Sequence, residues 1–355
     1  MTIVIATGGS GGHLFPALKV AEVLKSEGHD VVFAGSFGLG VEKIEQAGFA
    51  CHHLQAKGLN TKDPIKFLST GFSLTRATMK AKGILKDVRP DAVIGFGSYG
   101  AFPVVMAARL SRIPAMIHEQ NVLPGKANII LAKYVNKIAV TFLDSKQFLP
   151  QDKVVLTGTP VHARDCVRDP AEARHSFGLN PDLTTVLVFG GSQGSHAINE
   201  NFLEALPLIK KTVDFQVIHV TGKGGGEHFG QMYKDLQIPV ALFGFLDNIE
   251  EAYVAADLAV CRSGALTVME LAKFQLPAIL IPYPYAGSHQ IRNASVLCRQ
   301  NAGTILEEKH LTPESLAQAV QQQLNNRKSF QGYLDIYKKD SANILAREIT
   351  ALTSS

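Results

Sequence analysis

Leu258-Ala-Val-Cys-Arg-Ser-Gly-Ala-Leu-Thr-Val-Met-Glu-Leu-Ala-Lys273 is followed by Leu276-Pro-Ala-Ile-Leu-Ile-Pro-Tyr-Pro-Tyr285 and then Gly287-Ser-His-Gln-Ile-Arg-Asn-Ala294. The apolar run 258–261 reads as a short buried strand, and Ala278 to Ile281 as another. Between them Ser263 is expected to cap a helix whose first turn is Gly264-Ala265-Leu266-Thr267. Unpaired backbone N–H groups at that turn, with the helix dipole, favour an anion such as a diphosphate. Glu270 lies seven residues beyond Ser263, roughly 10 Å along a helix axis and back on about the same face. A phosphate at the cap and a carboxylate two turns on are spaced to hold a nucleoside diphosphate, the carboxylate accepting from ribose hydroxyls. Gln290 and Asn293, three apart at the next helix start, share a face. The alternative for this stretch is an ordinary strand–helix–strand unit with a polar loop.

Working outward, the same strand–loop–helix alternation fills the chain. Ile3-Val-Ile-Ala6 is a strand, Thr7-Gly-Gly-Ser-Gly-Gly-His13 a glycine loop, Pro16–Glu27 a helix and Val31-Val-Phe-Ala34 a strand. Further strands are expected at 51–54, 92–94, 115–117, 137–140 and 154–156, and helices at 41–47, 64–87 and 103–111. Thr185-Val-Leu-Val-Phe189 and Gly190-Gly-Ser-Gln-Gly-Ser195 restart the pattern 182 residues on (190 minus 8). The fold class is α/β: two Rossmann-like, doubly wound parallel-sheet domains facing a central cleft. The expected domains are 1–162 and 163–338, with a linker near 162–170. A helical tail, 339–355, could belong to either domain or pack back on the first.

Composition narrows the function. A chain of 355 residues with net charge +4 is long enough for two domains, and that charge does not imply nucleic acid. The four cysteines, Cys51, Cys166, Cys261 and Cys298, are too scattered for a zinc site or a disulfide scaffold and point to a reducing compartment. No secretory leader and no run of about 20 apolar residues is seen. The dinucleotide fingerprint fails at both loops, since Leu14 stands at the sixth position from Gly9 and Ser192 at the third from Gly190. Gly222-Lys-Gly-Gly-Gly226 lacks the Walker spacing, and no Asp-x-Asp offers ligands for a metal-bridged diphosphate. No metal and no cofactor are expected.

His13 closes the first loop and is a candidate general base; a surface or capping histidine is the alternative. His118-Glu119-Gln-Asn121 gathers polar groups at a strand end, as a site or as a polar turn. Residues 62–86 mix Lys62, Lys66, Arg76, Lys80, Lys82 and Lys86 with Phe67, Leu68, Phe72 and Leu74. Such a stretch suits an anionic membrane surface or a solvated helix face.

Taken together, Thr7–His13, Gly97-Ser-Tyr99, His118–Asn121, Gly190–Gly194, Cys261–Thr267 with Glu270, and Gln290 with Asn293-Ala294 closely resemble the bacterial MurG transferases over almost the whole chain. These are peripheral-membrane glycosyltransferases of the GT-B fold. The resemblance implies transfer of N-acetylglucosamine (GlcNAc) from UDP-GlcNAc to the 4-hydroxyl of the N-acetylmuramyl-pentapeptide on undecaprenyl diphosphate, at the cytoplasmic face of the membrane. It implies donor contacts from Ser10, Gly11, Gly12, His13, Asn121, Asn128, Ser192, Leu246, Arg262, Ala265, Leu266, Thr267, Glu270, Gln290 and Asn293. Gly12, Tyr99, His118 and Glu119 would serve the acceptor, with His13, Glu119 or His118 as base, Arg262 on the leaving diphosphate and 62–86 on the membrane. Two departures stand out. His162 replaces the family's arginine after Gly158-Thr-Pro-Val161, and Gly287-Ser-His289 lacks an aspartate common there. The rival readings are another GT-B enzyme, such as a UDP-sugar epimerase or a glycolipid synthase, and a non-catalytic UDP-sugar sensor.

Overall fold

A computed structural model describes residues 1–9, 11–54, 64–161, 169–191, 194–222, 226–325 and 336–353. The chain forms two compact units, Met1–His162 with Lys338–Ser355, and Ala163–Tyr337. Of the expected features, Ser10, Lys62, the stretch His162–Arg168, Ser192 and residues 223–225 lie outside the described residues, as do the side chains of 64–72.

In the first unit the strands are β1 (Thr2–Gly8), β2 (Asp30–Ser36), β3 (Ala50–His53), β4 (Ala92–Gly95), β5 (Ala115–Glu119), β6 (Lys137–Val140) and β7 (Val154–Leu156). The helices are α1 (Gly11–Ser26), α2 (Val41–Gln46), α3 (Pro64–Val88), α4 (Ser98–Leu110) and α5 (Lys126–Leu131). The second unit contains α6 (Pro170–Ser176), β8 (Thr184–Phe189), α7 (His196–Lys210), β9 (Phe215–Val220), α8 (Gly226–Asp235), β10 (Val240–Phe243) and α9 (Ile249–Ala255). It continues through β11 (Leu258–Cys261), α10 (Ala265–Lys273), β12 (Ala278–Leu280), α11 (His289–Cys298), β13 (Gly303–Ile305) and α12 (Pro313–Asn325). The chain then returns to the first unit as α13 (Ser341–Thr350).

Both sheets are parallel, as the alternation of strand, loop and helix predicts, with orders β3-β2-β1-β4-β5-β6-β7 and β10-β9-β8-β11-β12-β13. Each is doubly wound, and the order reverses between β1 and β4 and between β8 and β11. Strand periodicity divides the first core. Ile3 and Ile5 of β1 pack in one apolar cluster and Val4 and Ala6 in another, on opposite faces. Leu345, Ala346 and Ile349 of α13 join the Ile3 cluster beside α1.

Three sequence-based expectations give way. Helices α1 and α4 start at Gly11 and Ser98, five residues before the expected starts at Pro16 and residue 103, although proline favours the first position of a helix. Pro16 and Pro103 instead lie inside, where each removes one helical hydrogen bond. Packing outweighs that loss, since Leu14 is 2% exposed and Ala101 wholly buried. The third is strand β5, which runs on to Glu119.

A buried ion pair ties α6 to the second sheet. Arg174 Nη2 donates to Asp257 Oδ1 at 2.8 Å, its Nε and Nη1 donate to Ala255 and Pro181 carbonyls, and Asp257 Oδ2 accepts the Thr185 N–H at 2.7 Å. Asp257→Ala would leave the guanidinium buried and uncompensated, and is expected to lower stability by about 3–5 kcal/mol. An Arg174→Met/Asp257→Leu double variant should recover much of that loss. Denaturant titration of the three proteins checks both.

Candidate active site

Strand β5 carries the polar cluster of the first unit. His118 and Gln120 alternate with Glu119 along the strand end, so they leave on the opposite side from it. Glu119 is 1% exposed and bonds four donors. Its Oε1 accepts from Asn121 N at 2.8 Å and Asn121 Nδ2 at 3.2 Å. Its Oε2 accepts from Gly125 N at 3.0 Å and Asn128 Nδ2 at 2.8 Å. The carboxylate therefore pins the 121–125 loop and the start of α5. Asn128 is itself buried and also donates to the His118 carbonyl, and its Oδ1 has no partner among the described residues.

His118 is wholly buried, with Nε2 2.9 Å from the Gly158 carbonyl. Burial drives its pKa down to about 4, beyond what the Gly158 bond restores, so it is neutral near pH 7. His13 lies not in the loop but in the first turn of α1, partly exposed, with Nδ1 2.9 Å from Gln120 Oε1. Desolvation lowers its pKa, and the charge of Glu119 and the contacts with Gln120 and Phe96 oppose that without cancelling it. Gly97 has φ +76°, and a Cβ there would stand 3.2 Å from His13 Cε1, so glycine serves both the backbone and the ring. Gly11 and Gly12 are exposed at the start of α1, and Tyr99 is half-buried in the first turn of α4.

In the second unit, Phe189 and Cys261 are paired in register, which sets the loop after β8 beside the turn into α10. At Gly190 a Cβ would lie 2.2 Å from Ser195 N, so that loop folds back on itself. Gly264, not Ser263, precedes α10, and it brings no side-chain cap. The N–H groups of Ala265, Leu266 and Thr267 belong to a first turn without an intrahelical acceptor. Glu270 accepts from Tyr253 Oη at 2.9 Å, six residues (270 minus 264) and roughly 9 Å from the cap.

The residues around that turn hold one another. Ser263 is buried, and its Oγ donates to the Gln290 carbonyl at 2.9 Å, which takes it from the expected capping role. Gln290 Oε1 accepts from Ser263 N at 3.2 Å and Tyr283 N at 2.9 Å. Asn293 is wholly buried on the same helix, with Nδ2 3.4 Å from the Ser263 carbonyl. The Arg262 guanidinium pairs with Glu308 at 2.5 Å, donates to Ser195 Oγ at 2.8 Å and to the Ile281 carbonyl, and lies over the Tyr283 ring. It braces the loops from β8 and β12. Leu246 is half-buried beside Phe245, which is 62% exposed.

Residues 3–140 match the glycosyltransferase family 28 N-terminal domain and residues 185–346 the glycosyltransferase family 28 C-terminal domain. The UDP-N-acetylglucosamine--N-acetylmuramyl-(pentapeptide) pyrophosphoryl-undecaprenol N-acetylglucosamine transferase of Desulforamulus reducens is 38% identical, over 92% of this chain and 91% of its own. The enzyme of that name from Geobacter sulfurreducens is 34% identical over 99% of both chains. The chain belongs to the MurG family.

Among solved structures, Acinetobacter baumannii MurG superposes with TM-score 0.81 at 28% identity, over 99% of each chain. The calicheamicin glycosyltransferase CalG4 (TM-score 0.73, 16% identity) shares the fold, and so does the UDP-GlcNAc 2-epimerase of Neisseria meningitidis (0.68, 14%). The fold is GT-B, and this MurG relative is a UDP-sugar hexosyltransferase. Sequence reading passed over four residues of its sites. Gln120 was legible, being two along from His118 on one strand face, and Ser195 sits in a quoted loop. Tyr253 and Glu308, 17 residues before Glu270 (270 minus 253) and 46 after Arg262 (308 minus 262), have no local signal.

Buried neutral histidine also makes stability depend on acid. The unfolded chain binds a proton near pH 6.5 and folded His118 near 4, so stability falls as pH drops between these values, by about 3 kcal/mol in all. His219 in the second unit, held down to about 3 by burial, adds to the trend. Denaturant titrations at stepped pH should show a shallower fall in a His118→Gln variant than in the parent.

Proposed function

We propose that this chain moves GlcNAc from UDP-GlcNAc to the 4-hydroxyl of the N-acetylmuramyl-pentapeptide on undecaprenyl diphosphate (lipid I to lipid II), in peptidoglycan synthesis. The likeness at 34–38% identity to relatives named for that transfer carries the reading. The second unit binds the donor, with the diphosphate on the first turn of α10, the ribose on Glu270, the uracil at the backbone near Leu246 and the sugar near Gln290 and Asn293. The first unit binds the acceptor, with Gly11, Gly12 and Tyr99 near its diphosphate.

The reaction is one displacement with inversion. His13 Nε2 takes the proton of the acceptor hydroxyl. The oxygen bonds to the anomeric carbon, and the bond from that carbon to the phosphate oxygen breaks, its electron pair leaving with UDP. His13 suits this because it is neutral at pH 7 and partly exposed. Glu119 and His118, buried and hydrogen-bonded, suit positioning better. The N–H groups of α10 suit the leaving diphosphate better than Arg262, whose guanidinium is already engaged.

The lipid-linked acceptor named for the relatives supports a peripheral place on the cytoplasmic face of the membrane, through 62–86. On the described part of α3, Arg76, Lys80, Lys82, Lys86 and Met79 are exposed. Among the described residues no helix is long and apolar enough to cross a membrane.

Labelled UDP-GlcNAc with a soluble lipid I analogue tests the reading. Disaccharide formation that requires the acceptor and survives EDTA is expected, and donor binding without product would overturn it. His13→Ala should lower kcat by about 10² or more, and a near-parental kcat would remove it as base. Glu270→Ala should chiefly raise the donor KM, and an unchanged KM would remove the ribose contact.

A further inference from the structure

We propose that Gln120 is the positioning residue that fixes His13 in its Nδ1–H tautomer and leaves the Nε2 lone pair to act as the base. The catalytic half of this rests on the reading of His13 given above; the tautomer does not.

Two backbone carbonyls set the direction of every proton in the cluster, because a carbonyl only accepts. His118 Nε2 lies 2.9 Å from the Gly158 carbonyl, so Nε2 carries the hydrogen. A neutral imidazole has one such hydrogen, so His118 Nδ1 is bare. The Gln120 side chain presents one atom to that bare nitrogen, at 3.3 Å, and to the Phe96 carbonyl, at 3.1 Å. Two acceptors face that atom, so it is the amide nitrogen, and its two hydrogens are both used. Turning the amide over would set an oxygen against two acceptors in a 4%-exposed site and lose both bonds there. Gln120 Oε1 therefore faces His13 Nδ1 at 2.9 Å, and since it accepts, Nδ1 carries the hydrogen. A neutral His13 is then bare at Nε2.

The consequence is chemical. With the hydrogen on Nε2 the ring would present a donor to the acceptor hydroxyl and could not remove its proton. Gln120 holds the reactive tautomer through a neutral amide. The titratable groups coupled to His13 are Glu119, whose charge favours its cation, and His118, whose own pKa a charged His13 lowers, both from β5.

The test uses full-length protein labelled with 15N-histidine, read by long-range proton–nitrogen correlation above pH 7, with His13 assigned by its absence in His13→Gln. The parent should show His13 protonated at Nδ1 and bare at Nε2, whether or not transfer is observed. Protonation at Nε2 would overturn the proposal, and this needs no variant to fold. Gln120→Leu should lower kcat by about 10²–10⁴ with an unchanged donor KM, and should populate the other tautomer. A kcat and tautomer both like the parent's would overturn it. If the parent shows the expected tautomer but no transfer, the function fails and the positioning of His13 stands.

Discussion

A parallel strand must be followed by a crossover, and where successive crossovers leave on opposite faces of the sheet, two helix starts are left side by side. This constraint governs both units. It sets α1 beside α4 at the carboxyl ends of β1 and β4, and the loop after β8 beside the start of α10. Unpaired N–H groups collect there for geometric reasons before any side chain is chosen. Chemistry on anionic substrates needs such donors, and the fold supplies them twice.

Side chains at these ends divide into those that hold the frame and those left to react. Glu119 is charged, yet its four bonds go to the loop and helix that follow it. Arg262 is the mirror case, a cation committed to Glu308, Ser195 and a carbonyl. Each is more valuable to its surroundings as a fixed charge than as a mobile one, because an unmet charge at that depth would be expelled or neutralised. His13 and Glu270 are both only partly buried, His13 bonded to Gln120 and Glu270 to Tyr253, so each stands nearer the surface than Glu119.

The sequence makes the architecture legible because strand, glycine loop and helix recur with little interruption, and apolar runs as short as Leu258–Cys261 can only be interior strands in such a series. Boundaries are less legible. At Pro16 and Pro103 the local rule for proline points to a helix start, and burial of the preceding turn overrides it. Ser263 likewise obeys a local capping rule on paper, but its hydroxyl is drawn to a carbonyl on α11, 27 residues away (290 minus 263). The candidate site follows the same division. His13, Glu119 and Glu270 can be picked out by type and spacing, whereas what each is bonded to depends on packing, which no short window of sequence contains.

The neutral amide beside His13 then has a physical rationale. A carboxylate in that place would also fix the tautomer and would stabilise the imidazolium as it forms, but it would raise the pKa of the resting ring. Burial already works in the opposite direction on His13, and the more distant charge of Glu119 offsets part of that. With an amide in contact and a carboxylate further off, tautomer and basicity are set by different residues. The ring is held bare at Nε2 by geometry, and neutral at pH 7 by desolvation, while enough negative potential remains nearby to receive the proton when the acceptor oxygen gives it up.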